Sequence, residues 1–203
     1  MNKYANIFSI FLVLTAACVL TGWADTWEQI RQGAGKIQSV RAEFVQEKHM
    51  KILSKPLVSE GVLYYQVPNS LRWEYARPIQ SILLMHSGKM KRYVKKGDGF
   101  IQDAGASLQA MQIVMQEITR WLNGRFDENP DFKASLETGR KIVLSPQNES
   151  LSMMIQRIEL ILSDQPGIIK RVMIYESRDS FTQLEFRNTE LNQKLETSLF
   201  LEL

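Results

Sequence analysis

The alternation of apolar and polar residues predicts an α+β protein, a large and strongly curved antiparallel sheet with two or three helices. Three observations carry that expectation. Short extended runs separated by turn residues follow one another through most of the chain, as in an antiparallel meander. One stretch, residues 107–123, instead repeats its apolar residues at helical spacing. A chain of 203 residues with a hydrophobic fraction of 44% can bury one sizeable core, whereas two would be cramped.

At the N-terminus, Lys3 precedes an apolar run over residues 7–20, and Gly22-Trp23-Ala24 offers small residues where a signal peptidase reads. A secretory signal spanning 1–24 and removed after Ala24 is expected, leaving 25–203 as a single exported domain. The run is shorter than the ~20 apolar residues a bilayer-spanning helix needs. Leu14-Thr15-Ala16-Ala17-Cys18 also resembles a permissive lipobox, which would leave a lipidated Cys18. Thr15 and the apolar Val19-Leu20 weigh against that reading. Cleavage after Ala24 would remove the only cysteine, and with it disulfide and thiol chemistry.

The elements follow in order. Trp27, Ile30, Ala34 and Ile37 are spaced three or four apart, predicting a helix over 26–40 that Asp25 or Thr26 caps and that Gly33 and Gly35 weaken. A strand over 41–50 carries Phe44 and Gln46 on one face, and 51–55 form a hairpin or loop. Residues 61–85 are the most regular part. Gly61, Leu63, Tyr65 and Val67 share one strand face, Pro68-Asn69-Ser70 turn the chain, and Leu71, Trp73 and Tyr75 share the next apolar face with Arg72 and Glu74 opposite. Pro78 then turns the chain into a strand over 81–85. A further strand over 89–94 ends in a turn at 95–99. In the helix over 107–123, Leu108, Met111, Met115, Ile118 and Leu122 form one stripe, widened by Val114 and Trp121 and stopped by Asn123-Gly124. Strands over 132–136, 141–144, 154–163, 168–176, 181–189 and 199–203 complete the chain, with turns at Asp164-Gln165-Pro166-Gly167 and Ser177-Arg178-Asp179.

The order of motifs in the most regular part carries a resemblance. A Gly-x-Leu strand, a Pro-Asn turn, an apolar residue two before a tryptophan, then a proline and an apolar strand follow Phe44-Val45-Gln46. This succession resembles the LolA family of periplasmic lipoprotein carriers, specifically over 44–73 and more loosely to the C-terminus. The resemblance implies an incompletely closed antiparallel β-barrel covered by a helical lid, monomeric and periplasmic. It implies a hydrophobic cavity for lipoprotein or other lipid acyl chains, shuttled from an inner-membrane ABC-type lipoprotein release complex toward an outer-membrane acceptor. Carriers of that family place an arginine immediately before the turn proline, holding the lid through backbone hydrogen bonds. Val67 stands there in this sequence and has no side-chain donor.

Composition and motifs argue against other classes. Lys+Arg 25 against Asp+Glu 22 gives a formal charge of +3, and the charges are interspersed, so no nucleic-acid partner is expected. His49 and His86 lie far apart without a second ligand at helical spacing, so no metal is expected. No GxSxG, Walker or GxGxxG motif occurs, and Asp127-Glu128 and the Glu176, Asp179 pair sit in turn-like contexts. Neither an enzyme nor a cofactor is expected.

Binding is the better reading. With the central strands side by side, Phe44, Leu63, Tyr65, Val67, Leu71, Trp73 and Tyr75 line the concave face, opposite Leu108, Met111, Met115, Ile118 and Leu122. Met111, Met115, Met153, Met154 and Met173 add side chains able to repack around variable acyl chains. Each acyl CH₂ left in water costs about 0.8 kcal/mol. A carrier therefore has to enclose most of a chain and still release it. The competing readings are an outer-membrane receptor of LolB type anchored through Cys18, and an exported structural protein whose apolar face is ordinary core.

Overall fold

The computed structural model describes residues 26–103, 107–165 and 167–203, with 107–114 described by their backbone alone. The expected signal segment, its cleavage site and Cys18 lie outside these residues, as do Pro166 and the side chains of Leu108 and Met111.

The first helix, α1 (Trp27–Ala34), begins at a capping box, in which Thr26 Oγ1 accepts from the Gln29 amide and Gln29 Oε1 accepts from the Thr26 amide. It ends at Gly35, earlier than the spacing predicts. Ile37 continues the apolar stripe in sequence but belongs to the approach to the first strand, β1 (Ser39–His49). The glycines that weaken the helix end it here.

After β1 the chain runs as a meander through β2 (Leu57–Gln66), β3 (Ser70–Arg77), β4 (Ser81–His86), β5 (Lys89–Lys96) and β6 (Gly99–Asp103). Helix α2 (Ser107–Leu122) leads to a second meander of β7 (Phe132–Glu137), β8 (Lys141–Pro146), β9 (Arg157–Leu162), β10 (Ile169–Ser177) and β11 (Ser180–Leu191). The two meanders join where β1 pairs with β11, giving one sheet of eleven strands ordered β6-β5-β4-β3-β2-β1-β11-β10-β9-β8-β7. All pairs are antiparallel, and the sheet does not close: β6 and β7 are its edges. Leu83 and Met85 of β4 share one buried cluster with Ile142 and Leu144 of β8, although seven strand spacings, roughly 34 Å on a flat sheet, separate those strands. The sheet is therefore strongly curved around a common interior.

Several sequence expectations need correction. The chain over 199–203 is not a strand; Thr197–Phe200 form a 3₁₀ turn. The strand expected over 154–163 starts at Arg157, after a short helix α3 (Glu149–Ser152) capped by Asn148. Met153 and Met154 are consequently exposed rather than part of a strand. β6 was hidden behind the turn expected at 95–99.

Arg72, expected on the solvent side of β3, is buried. Its guanidinium donates to the backbone oxygens of Leu199 (3.1 Å) and Glu202 (2.9 Å) and to Glu74 Oε2 (2.9 Å). The C-terminal segment thus covers the outer face of β3 and β4 and buries Phe200, which is why Ile82 and Leu84 are as hidden as Leu83 and Met85.

Strand directions sort the connections by end. At one end lie α1, the C-terminus of α2, and the β2–β3 and β9–β10 turns. There α1 packs on two glycines with positive φ: a Cβ on Gly124 would stand 2.7 Å from Ala34 Cβ, and one on Gly167 2.5 Å from the Ala34 nitrogen. At the opposite end lie the β1–β2, β3–β4 and β10–β11 turns and the β8–β9 connection with α3.

Candidate functional site

The inner face of the sheet is built around aromatic rings held by strand register. Phe44, Gly61 and Tyr75 stand in one row across β1, β2 and β3. Glycine is required in the middle of that row, because a Cβ on Gly61 would lie 1.9 Å from the Glu74 carbonyl oxygen and 2.7 Å from Phe44 Cζ. The vacated space lets Phe44 lie tilted against Trp73, with ring centroids 4.9 Å apart, and edge-on to Tyr75 at 5.2 Å. Trp73 also meets Phe186 of β11 edge-on at 6.2 Å, so the cluster spans the join between the two meanders.

Of the residues that sequence reasoning placed here, Phe44, Leu63, Leu71, Trp73, Met115 and Ile118 are buried together in the main core, with Tyr75 and Leu122 partly buried against it. Tyr65 belongs to a second, smaller cluster with Ile37, Val40 and Ala42, against which Val67 packs. The side chains of Leu108 and Met111 lie outside the described residues.

Beneath the C-terminal half of α2 the interior holds a narrow cavity of about 50 Å³. Leu63 and Trp73 form one wall, and Ile118, Trp121 and Leu122 of α2 form its roof. The facing wall comes from the second meander, with Ile169, Val172 and Ile174 of β10 and Leu184 and Phe186 of β11. Phe44, Tyr65, Val67, Leu71, Tyr75 and Met115 do not line it. The β10 and β11 wall was missed from sequence, since the strand motifs that carry the resemblance lie between Phe44 and Met85. The alternating apolar residues of 168–176 and 181–189 were the signal that could have found it. Both tryptophans of the cavity bury an indole N–H that has no hydrogen-bond partner among the described residues. The Trp73 N–H, without a bond of good geometry, still lies near enough to the Tyr75 hydroxyl to oppose part of the rise in that phenol's pKa.

A polar clasp ties α2 to the sheet. The Tyr65 hydroxyl donates to Asn123 Oδ1 (2.7 Å), just past the helix end, and also lies 3.2 Å from the Pro68 oxygen. Asn123 Nδ2 donates to the carbonyls of Thr119 (2.8 Å) and Pro68 (3.3 Å). The β2–β3 turn therefore meets the end of α2 through Asn123, while Val67 contributes only its backbone N–H, donated to Gln38 O at 3.0 Å. Burial pushes the Tyr65 phenol up to about 12, against the opposing pull of its bond to Asn123. Tyr75, whose hydroxyl donates to Gln46 Oε1 at 2.9 Å, is likewise raised by burial to about 12.

An apolar interior under a helix, with few polar groups and among the described residues no cluster of His, Cys, Asp or Glu able to hold a metal, is suited to holding an apolar ligand. The sequence matches the family described as outer membrane lipoprotein carrier protein LolA over residues 35–201. The chain belongs to the LolA family. No curated protein matches it. Among solved structures, a MucA/MucB complex from Pseudomonas aeruginosa has a TM-score of 0.51 at 10% identity, covering 86% of this LolA-family chain and 59% of that one. A DUF1329 family protein from Desulfovibrio piger has a TM-score of 0.45 at 11% identity, covering 86% and 95% of the two chains. A LolA superfamily protein from Nitrosomonas europaea has a TM-score of 0.41 at 11% identity, covering 87% and 98%. At such identities the likeness to MucA/MucB is one of fold.

Proposed function

We propose that this LolA-family chain is an exported periplasmic carrier that holds the acyl chains of lipoproteins, or of a related lipid amphiphile, between the inner sheet face and α2. On this reading it receives cargo from an ABC-type release complex at the inner membrane and gives it up to an acceptor at the outer membrane, without catalysing a reaction. The observation that carries the reading is the apolar cavity roofed by α2. At about 50 Å³ it is far smaller than the roughly 300–1,000 Å³ of ligand pockets, so cargo requires α2 to move off the sheet as a lid. Three features support such movement. Among the described side chains of α2, Met115, Ile118, Trp121 and Leu122 rest on the interior by apolar contact, and the polar fastening to the sheet is the Asn123 clasp at one end. The sheet edges β6 and β7 are unpaired with each other, and α2 is the chain between them. Asn123 reaches the Pro68 carbonyl beside Val67, the position of the family's arginine, and offers a fastening of moderate strength. The free energy of lid closure opposes binding and so keeps the cargo transferable.

Native and denaturing mass spectrometry of protein isolated from its own cells without detergent tests the proposal. The expected result is a mature mass beginning at Asp25 and an acyl-bearing adduct lost on denaturation. Val172→Phe, whose added ring is comparable in size with the cavity, is expected to diminish the adduct, with an unchanged sheet spectrum as the check that the fold persists. A diacylated mass beginning at Cys18 would assign the chain to membrane-anchored receptors. A clean mass without adduct, even after incubation with an acylated lipoprotein, would sink the carrier reading.

A further inference from the structure

Most of the exposed large apolar side chains gather at one end of the molecule; Ile101 of β6 and Leu201 and Leu203 of the C-terminal segment are the others among the described residues. Of those on the described surface, Ile52, Leu53, Leu57 and Val58 belong to the β1–β2 hairpin, Ile79 to the β3–β4 turn, and Met153 and Met154 to the β8–β9 connection. All of these connections lie at the end of the sheet opposite α1. The hairpin projects past its neighbours: pairing to β11 stops at His49 and pairing to β3 starts at Glu60, so the tip over 50–56 extends beyond both. Ile52 at its apex is 82% exposed. Nothing in the fold requires these side chains there, since none belongs to either core cluster. A polar tip would serve the hairpin equally well.

Within the hairpin itself the charge has one sign, although acidic residues stand on the rim behind it. From Lys48 to Val58 the sequence contains Lys48, Lys51 and Lys55 and no acidic residue. Lys48 and Lys51 pair with Glu176 (3.3 Å) and Asp179 (3.4 Å) on the rim behind, Lys51 from a side chain that is largely exposed. Lys55 has no acidic partner among the described residues. Arg178 lies in the adjoining β10–β11 turn. A protruding, convex tip of aliphatic side chains with a lysine collar lacks the shape and aromatic anchors of a protein hot spot. It has the chemistry of a segment that lowers its apolar residues among acyl chains while ammonium groups remain at lipid phosphates.

We infer that this end of the molecule, led by the β1–β2 hairpin, docks on the surface of a bilayer rich in anionic phospholipid. The inference goes beyond the carrier reading and does not depend on it, because the hairpin contributes no residue to the cavity. The two also join naturally: a tip that rests in the headgroups holds the carrier at the surface from which an acyl chain has to be lifted.

The test is flotation of the natively processed full chain with vesicles of phosphatidylcholine alone or phosphatidylcholine mixed with phosphatidylglycerol. Binding is expected to the mixed vesicles, weakening as salt is raised. Ile52→Asp/Leu53→Asp and, separately, Lys51→Gln/Lys55→Gln each lower partitioning by roughly tenfold or more. Ile101→Asp, at an exposed apolar position on edge strand β6 away from the hairpin, leaves it unchanged. An environment-sensitive dye on Ser54→Cys reports an apolar setting when vesicles are added. The inference is overturned if both hairpin variants float like the parent, if neutral vesicles bind as well as anionic ones, if the dye on vesicle-bound protein stays in water, or if only a protein partner is bound. Displacement of a fluorescent fatty acid, measured on the same variants, is expected to be unaffected, so a failure of docking and a failure of the carrier reading give different results.

Discussion

The clasp at Asn123 sets how firmly α2 is held, and its strength follows from the atoms involved. Tyr65→Phe removes one hydroxyl donor and strands a partly buried amide oxygen, Asn123 Oδ1, whose bond was 2.7 Å. That is a loss of about 1–2 kcal/mol. Asn123→Ala removes this bond and both amide bonds to the Thr119 and Pro68 carbonyls, leaving the Tyr65 hydroxyl only the longer contact to Pro68. Its loss is about 1–3 kcal/mol. Since the two residues share one bond, the double variant loses less than the sum, by about 0.5–1.5 kcal/mol. The assay is native-state hydrogen exchange. Amides over α2 are expected to exchange roughly tenfold faster for each 1.4 kcal/mol removed, while those of β1, β2 and β11 change only as far as global stability does. If α2 acts as a lid, the loosened variants also take up a fluorescent fatty acid faster. Strictly additive losses, with α2 exchange tracking the sheet, would refute the idea that Asn123 fastens the helix.

Four further outcomes follow from other contacts. Gly61→Ala forces a methyl against the Glu74 carbonyl and the Phe44 ring, and denaturant unfolding should show a loss of about 3 kcal/mol or more; a neutral result would mean that β2 and β3 separate freely. Arg72→Met removes both bonds to the C-terminal carbonyls, so limited proteolysis should cut within residues 192–203 sooner while the sheet spectrum persists. Free tyrosines ionise near 10, whereas Tyr65 and Tyr75 stay protonated in the folded chain up to about 12, so the unfolded chain gives up protons that the native one keeps. Their contribution to stability is therefore complete below pH 10 and is lost as pH rises toward 12, visible as a falling unfolding midpoint that Tyr65→Phe makes shallower. Val67→Arg places five donors beside the β2–β3 turn and is expected to favour lid closure and weaken retention of an acyl probe; unchanged retention would remove position 67 from the mechanism.

The parts of the fold that could be read from sequence are those where local signals agree. From Gly61 to Met85, strict alternation, two prolines and the Asn69-Ser70 turn point to the same strands, and β2, β3 and β4 pair as expected. α2 was visible because its apolar spacing persists for four turns. Where the signal was short or mixed, tertiary contacts decided. Ile37 continued a helical stripe past Gly35, yet the backbone had already turned toward β1. The run Leu199 to Leu203 looked like a strand, but Phe200 is buried by folding the chain across β3 and β4 and binding the Arg72 guanidinium. The candidate site shows the same division. Leu63, Trp73, Ile118 and Leu122 were found because each lies in a strongly periodic element. The facing wall from β10 and β11 was not, because only the β1–β11 pairing, at a separation no local pattern encodes, brings it opposite. Asn123 read as a helix stop; its role as a clasp depends on Tyr65, more than fifty positions away in the chain.

The pairing of β1 with β11 also sets the order in which the molecule can be assembled. Val40 meets Leu191 and His49 meets Phe181, so the first strand of the sheet waits for the last at its very centre. Each meander can form from near neighbours, but closing a loop of this length is slow and adds little until most of the interior is ready. A nascent chain stopped before β11 has two half-sheets, each with a bare strand edge and a bare apolar face. Such a species is exposed to aggregation, and one that a chaperone could hold open until synthesis, and any passage across a membrane, is finished.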